Sequence, residues 1–230
     1  MKYIVIGLGN FGASLAQKLT EQGNEVIGID IDMTKVEANK EKISHTIAMD
    51  ATDEFTVAGL PLRDTDIVLV AIGEDQGANI MTTALLKNLE VKRLISRAIN
   101  PLHEKVLQAL GVDEIVHPEE ETAERWAKKL YFNNVVDSFV LNDHYSIIEA
   151  KVPNDYIGKT VLEVGFRSKF NLLVLTIIKK VEVKSILGKT KTERQIQGVA
   201  SADNKLEKDN ILVLYGSNKD LQVFLKQKLR

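Results

Sequence analysis

Cysteine is absent from the 230 residues, which excludes disulfides and thiolate chemistry and fits a reducing compartment. No apolar run approaches the roughly 20 residues that a spanning helix needs, so a membrane role is expected to come through a partner. The opening MKYIVIGLG lacks a charged stretch, an apolar core and a cleavage site in order, so no signal peptide is expected. An excess of one charge is missing as well. The 30 Lys and Arg residues face 32 Asp and Glu residues, giving a formal net charge of −2. A nucleic-acid module is usually basic, so no nucleic-acid partner is expected. No internal repeat or low-complexity tract interrupts the chain. What is present is an ordinary globular balance, 44% apolar and 27% charged, long enough for one large or two small domains.

Residues 1–130 alternate strand-like and helix-like patterns with short joins. Strands are expected at Lys2–Ile6, Glu25–Ile29, Thr46–Met49, Ile67–Val70, Leu94–Ser96 and Glu114–Val116. The first helix carries Phe11, Leu15, Ala16 and Leu19 and stops at Gly23; the next is expected to be capped by Thr34 and to run through Lys40. A helix after the fourth strand places Ile80, Ala84 and Leu85 on one face, Asn100 caps another to Leu110, and a last one follows Pro118 through Leu130. This order predicts an α/β fold, a Rossmann-like doubly wound parallel sheet with right-handed crossovers. Ligands of such sheets sit beyond the carboxyl ends of the strands, where the strand order reverses. After Leu130 the rhythm changes. Tyr131–Asn134 reads as a hinge, followed by strands at Tyr145–Val152, Leu172–Ile178 and Ile211–Tyr215. A short helix is expected near Thr160–Val164, a hairpin arm at Lys189–Gln197 and a terminal helix at Leu221–Leu229, together a small α+β C-terminal lobe.

Gly7-Leu8-Gly9-Asn10-Phe11-Gly12 is a complete G-x-G-x-x-G between a strand and a helix. Gly7 permits the tight turn, Gly9 lets a pyrophosphate approach the backbone, and Gly12 lets the helix pack on the strand. The exposed amides and the helix dipole then favour negative charge. Asp30 ends the second strand; a carboxylate there accepts hydrogen bonds from ribose hydroxyls and disfavours a 2′-phosphate. Asp32 either shares that role or serves the start of the next helix. Asp50-Ala51-Thr52 ends the third strand, where it either borders an adenine edge or forms a local Asp–Thr turn. Ala71, Ile72 and Gly73 end the fourth strand and leave room for ribose and phosphates.

The chemistry of a catalyst is not visible beside this nucleotide site. A dehydrogenase needs a general acid or base near the nicotinamide and a domain that holds substrate. His45, His103, His117 and His144 form no metal or catalytic spacing, and there is no serine nucleophile elbow or P-loop lysine motif. A sensor is therefore expected rather than an enzyme. An NAD-dependent oxidoreductase and a free-standing nucleotide sensor are the alternatives.

VIGLGNFG, GIDID, MDATDE, VAIGEDQGAN, TTALLKNL and GVDEIVHPEEETAERWAKKL, taken in order, resemble the KtrA/TrkA family of RCK (KTN) regulatory subunits of bacterial potassium uptake. IIEAKVPNDYIGKTVLEVGFRSKFNLLVLTI is similar, more loosely, to the family's C-terminal RCK (TrkA-C) lobe. The resemblance implies a nucleotide-binding domain at 1–135, ending in a crossover helix, and a C-terminal lobe at 136–230. It implies homo-dimers assembled into an octameric ring, cytoplasmic and peripheral to the inner face of the membrane, docked on a KtrB/TrkH-like integral-membrane subunit. ATP and ADP, or NAD(H) in some members, set the shape of that ring. In some members cyclic di-AMP binds the C-terminal lobe.

Residue by residue, the resemblance implies ribose binding by Asp30, adenosine contacts from Asp50 and Ala51, and a strand-four loop of Ala71, Ile72 and Gly73. Asn10 stands where many members carry an arginine that reaches the γ-phosphate. Arg97 takes a place usually held by a cation near the phosphates, or is a solvated strand end. His103 borders the nucleotide, or lies on a helix surface. Glu119 matches an acid that holds a divalent cation or sodium, or is a first-turn glutamate stabilised by the helix dipole. Ala123, Trp126, Ala127 and Leu130 match the crossover helix, or form a packing stripe. The polar stretch Val181–Gln197 departs from the shorter family pattern.

Overall fold

The computed structural model describes residues 1–131, 134–184 and 190–226, without the side chains of 182–184, 190 and 191. The chain divides into two compact units, residues 1–120 and 121–230. The boundary falls inside a helix, some fifteen residues before the domain boundary expected at 135. Three expected features extend beyond the described residues: part of the hinge at Tyr131–Asn134, residues 185–189 of the polar stretch with the start of its hairpin arm, and the last residues of the terminal helix.

The first unit is built on strands β1 (Lys2–Ile6), β2 (Glu25–Asp30), β3 (His45–Ala48), β4 (Ile67–Val70), β5 (Leu94–Arg97) and β6 (Glu114–Val116). They pair in parallel in the order β3-β2-β1-β4-β5-β6. The chain builds outward from β1 to β3 and then crosses back to β4, so the order reverses between β1 and β4. Side-chain alternation explains why both faces are covered. Ile4, Ile6, Val68 and Val70 enter one core, whereas Val5, Leu69 and Ala71 enter the other.

Helices α1 (Asn10–Glu21), α2 (Met33–Asn39), α3 (Glu54–Ala58), α4 (Gln76–Asn88), α5 (Pro101–Ala109) and α6 (Pro118–Tyr131) follow the six strands in turn. Asn100 caps α5, accepting the His103 amide at 2.9 Å. Helix α2 begins two residues earlier than expected because Asp32, not Thr34, is its cap and accepts the Thr34 amide at 2.8 Å. The short helix α3, absent from the sequence expectation, is nucleated by Asp53, whose carboxylate accepts the amides of Phe55 and Thr56. Helix α4 buries Asn79, Thr82, Thr83 and Leu86 rather than Ile80, Ala84 and Leu85. Its inward face is polar because the side chains satisfy one another: Thr83 and Ser96 hydroxyls lie 3.1 Å apart, and Ser96 donates to Asn79 Oδ1 at 3.1 Å.

The second unit is an antiparallel sheet of β7 (Val135–Val140), β8 (Tyr145–Lys151), β9 (Leu173–Lys184), β10 (Thr190–Ile196) and β11 (Ile211–Ser217), in the order β10-β9-β11-β8-β7. Strand β9 runs six residues past its expected end and pairs with β10 from Ile178 onward, which makes the polar stretch an extension of the sheet. Helices α7 (Val161–Val164), α8 (Phe166–Phe170) and α9 (Asn218–Leu225) complete the lobe. Ile148, Ala150, Leu212 and Leu214 form its core with Phe166, Phe170 and Phe224, and Tyr156 packs against them. Thr160 and Glu163 form a reciprocal capping box at the start of α7.

Candidate functional site

The site begins where β1 ends. Gly7 takes φ +96°, and a Cβ there would lie 2.9 Å from the Ile72 amide nitrogen. One turn on, a Cβ on Gly12 would run into the Gly7 carbonyl oxygen, so only glycine lets α1 start this close to the strand. The cap of α1 is Gly9, with no side-chain hydrogen bond and no acid in the first turn. The first amides of α1 therefore keep their donors free for an anion. Asp30 is 8% exposed. Its Oδ2 accepts the Leu8 amide at 2.7 Å and its Oδ1 accepts the Asp32 amide at 2.9 Å. Each oxygen keeps a second lone pair, the acceptor capacity that a ribose diol uses.

Around this turn lies a cleft of about 650 Å³, within the size range of small-molecule sites. Gly7, Gly9, Asn10 and Phe11 line its centre; Asp30, Ile31, Lys35, Met49, Asp50, Ala51 and Thr52 line the β2–β3 side. Ala71 through Asp75, Met81, Thr82, Arg97 and Glu119 line the β4–β5 side. The cleft thus straddles the point where the strand order reverses, as the chain topology requires.

Among the described residues five carboxylates and two cations border it, and each carboxylate has a local partner. Asp30 holds the two amides above. Asp50 accepts from the Thr52 hydroxyl at 2.7 Å and amide at 2.9 Å, which together hold its carboxyl below the ordinary range. Asp75 caps α4 through the Ala78 amide at 2.9 Å. Glu74 lies 3.7 Å from Lys35 Nζ, and Glu119 Oε1 lies 2.5 Å from Arg97 Nη2. Arg97 is held from behind. Its Nη1 donates to the Ala71 carbonyl at 3.4 Å, and a Cβ on Gly73 would collide with its guanidinium. Asn79 Nδ2 donates to the carbonyls of Ile72 at 2.9 Å and Arg97 at 3.2 Å, fixing the ends of β4 and β5 to α4.

Gly7, Gly9, Asn10, Phe11, Asp30, Asp50, Ala51, Ala71, Ile72, Gly73, Arg97 and Glu119 come together around this cleft. Three expected residues do not border it. Gly12 lies behind the turn, in the packing role that the motif gives it. Asp32 points to the start of α2, and the Thr34 amide holds its carboxyl below the ordinary range. His103 is 2% exposed, with neither ring nitrogen hydrogen-bonded among the described residues, and burial pushes its pKa down. The imidazole thus stands among the buried residues of α5 and outside the lining of the cleft. A cation held by protein alone at Glu119 does not fit either. Among the described residues no three His, Cys, Asp or Glu side chains converge, and the Glu119 carboxylate faces a guanidinium.

Lys35 and Asn79 are the contributors that sequence reading missed. Lys35 stands five residues beyond Asp30, where a basic residue in this fold comes near the ribose, and that spacing was the available signal. Asn79 lies on the face of α4 that the apolar pattern left out.

The strand order, the uncapped Gly-rich turn and the buried acid beside it define a Rossmann-type nucleotide-binding domain, joined here to a small α+β lobe. The TrkA-N domain family matches residues 3–118. The chain is 37% identical over 228 residues to Ktr system potassium uptake protein C of Bacillus subtilis, covering 99% of this chain and 97% of that protein. It is 31% identical over 223 residues to Ktr system potassium uptake protein A of the same organism, covering 97% and 95%. The chain belongs to this KtrA/TrkA family of potassium uptake proteins. Its fold is that of the GsuK RCK domain, with a TM-score of 0.63 and 18% identity over 99% of this chain and 47% of that one. The GsuK channel bound to NAD gives a TM-score of 0.61 and 18% identity, over 96% of this chain and 38% of the other.

Proposed function

We propose that this chain is the nucleotide-sensing regulatory subunit of a membrane potassium uptake system, and that it senses without catalysing. The observation that carries the reading is the joining of Asp30 to the Leu8 amide at 2.7 Å, beside the Gly-rich turn that lines the cleft. It sets a ribose acceptor and an uncapped helix N-terminus side by side, the pair of groups that an adenosine diphosphate moiety needs. That moiety is shared by ATP, ADP and NAD(H). Gly7, Gly9, Asn10 and Phe11 receive its phosphates, Asp30 its ribose, and Asp50 and Ala51 its adenine side. Ala71, Ile72, Gly73 and Arg97 border the part of the ligand that differs between ATP and NAD(H). Family membership supports a cytoplasmic subunit that assembles from homo-dimers into an octameric ring against a KtrB/TrkH-like pore subunit.

A ligand can drive gating only by its differential affinity for two shapes of the assembly. The groups available for that discrimination lie at the β4–β5 side, where a terminal phosphate and a nicotinamide riboside occupy the same space. Asn10 brings an amide but no charge to the turn, so charge recognition falls to Arg97. No step is assigned to a bound cation.

The test is potassium flux through vesicles holding the cognate membrane subunit, with this chain added and ATP, ADP or NADH varied. Flux that depends on both the chain and the nucleotide supports the reading; flux indifferent to nucleotide at saturating chain contradicts it. Steady consumption of NADH with any small substrate would favour the oxidoreductase alternative.

A further inference from the structure

The ion pair between Arg97 and Glu119 places an anion of the protein itself on the cation that a terminal phosphate would use. Arg97 has a side-chain exposure of 16% and Glu119 one of 65%, so the guanidinium is fixed in the wall while the carboxylate stands at the mouth. The pair is made through one carboxylate oxygen and one guanidinium nitrogen. Arg97 Nε is buried and has no hydrogen-bond partner among the described residues, and Nη1 has only the long contact to Ala71. Glu119 therefore leaves the guanidinium's donors underused, whereas a phosphate group can take two of them at once. Lys35, the other cation of the cleft, lies on the β2 side against Glu74. On the β4–β5 side Arg97 is the cation available, and Glu119 neutralises it.

We propose that Glu119 is a built-in competitor for the terminal phosphates: a ligand whose phosphate reaches Arg97 must first displace the Glu119 carboxylate. The inference rests on the reading of the cleft as a nucleotide site. While the pair is closed, Glu119 offsets the charge of Arg97, and the far side of the cleft, which also carries Asp75, offers a phosphate no free cation among the described residues. When the pair opens, the guanidinium donors are freed and favour the ligand whose terminal phosphate reaches them. Glu119 thus sets the preference between ATP and NADH by acting through Arg97. It is a positioning and selectivity residue.

The experiment is calorimetric titration of the full-length protein with AMP, ADP, ATP and NADH in EDTA, for the parent, Glu119→Gln, Arg97→Gln and the double variant. AMP ends at the Gly-rich turn and does not reach Arg97. The expected result is that Glu119→Gln tightens ATP about fivefold to tenfold, raises the ATP-to-NADH affinity ratio and leaves AMP unchanged. The gain vanishes in the double variant, because no guanidinium remains to be released. ATP affinity unchanged or weakened by Glu119→Gln, with AMP still bound, overturns this inference and leaves the nucleotide reading standing. Equal tightening of AMP and ATP overturns it too, since the effect is then general charge. Failure of all four ligands to bind the parent overturns both.

Discussion

Asp30 accepts the main-chain amide of Leu8 across 22 residues of sequence, making the acid at the end of β2 and the turn after β1 one unit. Replacing Asp30 with Ala strands the buried amide of Leu8 and the part-buried amide of Asp32. The expected cost is about 2–3 kcal/mol of stability, with loss of nucleotide binding. Urea unfolding and calorimetry on the same sample check the two effects. Asp30→Ala with unchanged stability would mean that the amides find other acceptors.

Two glycines of one turn are expected to part company. At Gly12 an added methyl meets the Gly7 carbonyl, which is main chain and cannot yield, so Gly12→Ala should destabilise the domain by about 1–3 kcal/mol. At Gly9 nothing lies within 4 Å of an added Cβ, and its φ of −67° suits any residue. Gly9→Ala should leave the unfolding curve within about 0.5 kcal/mol of the parent and weaken nucleotide binding at least about tenfold, by filling the space over the turn. Equal stability losses in both variants would contradict this.

The second lobe has its own acid dependence. The Arg125 guanidinium holds the Asp137 carboxyl below its ordinary value of 3.8. A depressed carboxylate stabilises the fold at pH above its unfolded value, and that stabilisation is lost as pH falls through the lower folded value. Asp137→Asn should therefore be less stable than the parent at neutral pH, with the difference shrinking below about pH 3.8. Denaturant titration followed by the fluorescence of Trp126, one residue from Arg125, measures it. A difference that grows on acidification would reverse the assignment.

Local chemistry made much of this legible. Lys2–Ile6 and Ile67–Val70 match their observed strands to the residue, because buried parallel strands are continuous apolar runs bounded by Gly or Asp, and the short edge strand Glu114–Val116 matches as well. The Gly-rich turn and Asp30 follow from spacing alone. What sequence hides is pairing at a distance. The far half of β9 is polar enough to read as a loop, and Asp137-Ser138 interrupts the apolar run of β7; both are strands because neighbours supply their hydrogen bonds. The inward face of α4 was invisible for the same reason: Asn79, Thr83 and Ser96 are buried only as a mutually satisfied set. His103 shows the opposite error, since family position placed it beside the ligand and packing removed it from the cleft.

The most direct measurement is amide hydrogen exchange on the full-length protein, with and without saturating ADP. The account predicts slowed exchange in three separate stretches, the turn at Gly7–Gly12, the end of β2 around Asp30 and Ile31, and the β4 loop from Ala71 to Asp75. ADP that binds while those three stretches exchange as before, or that protects only the second lobe, would contradict it.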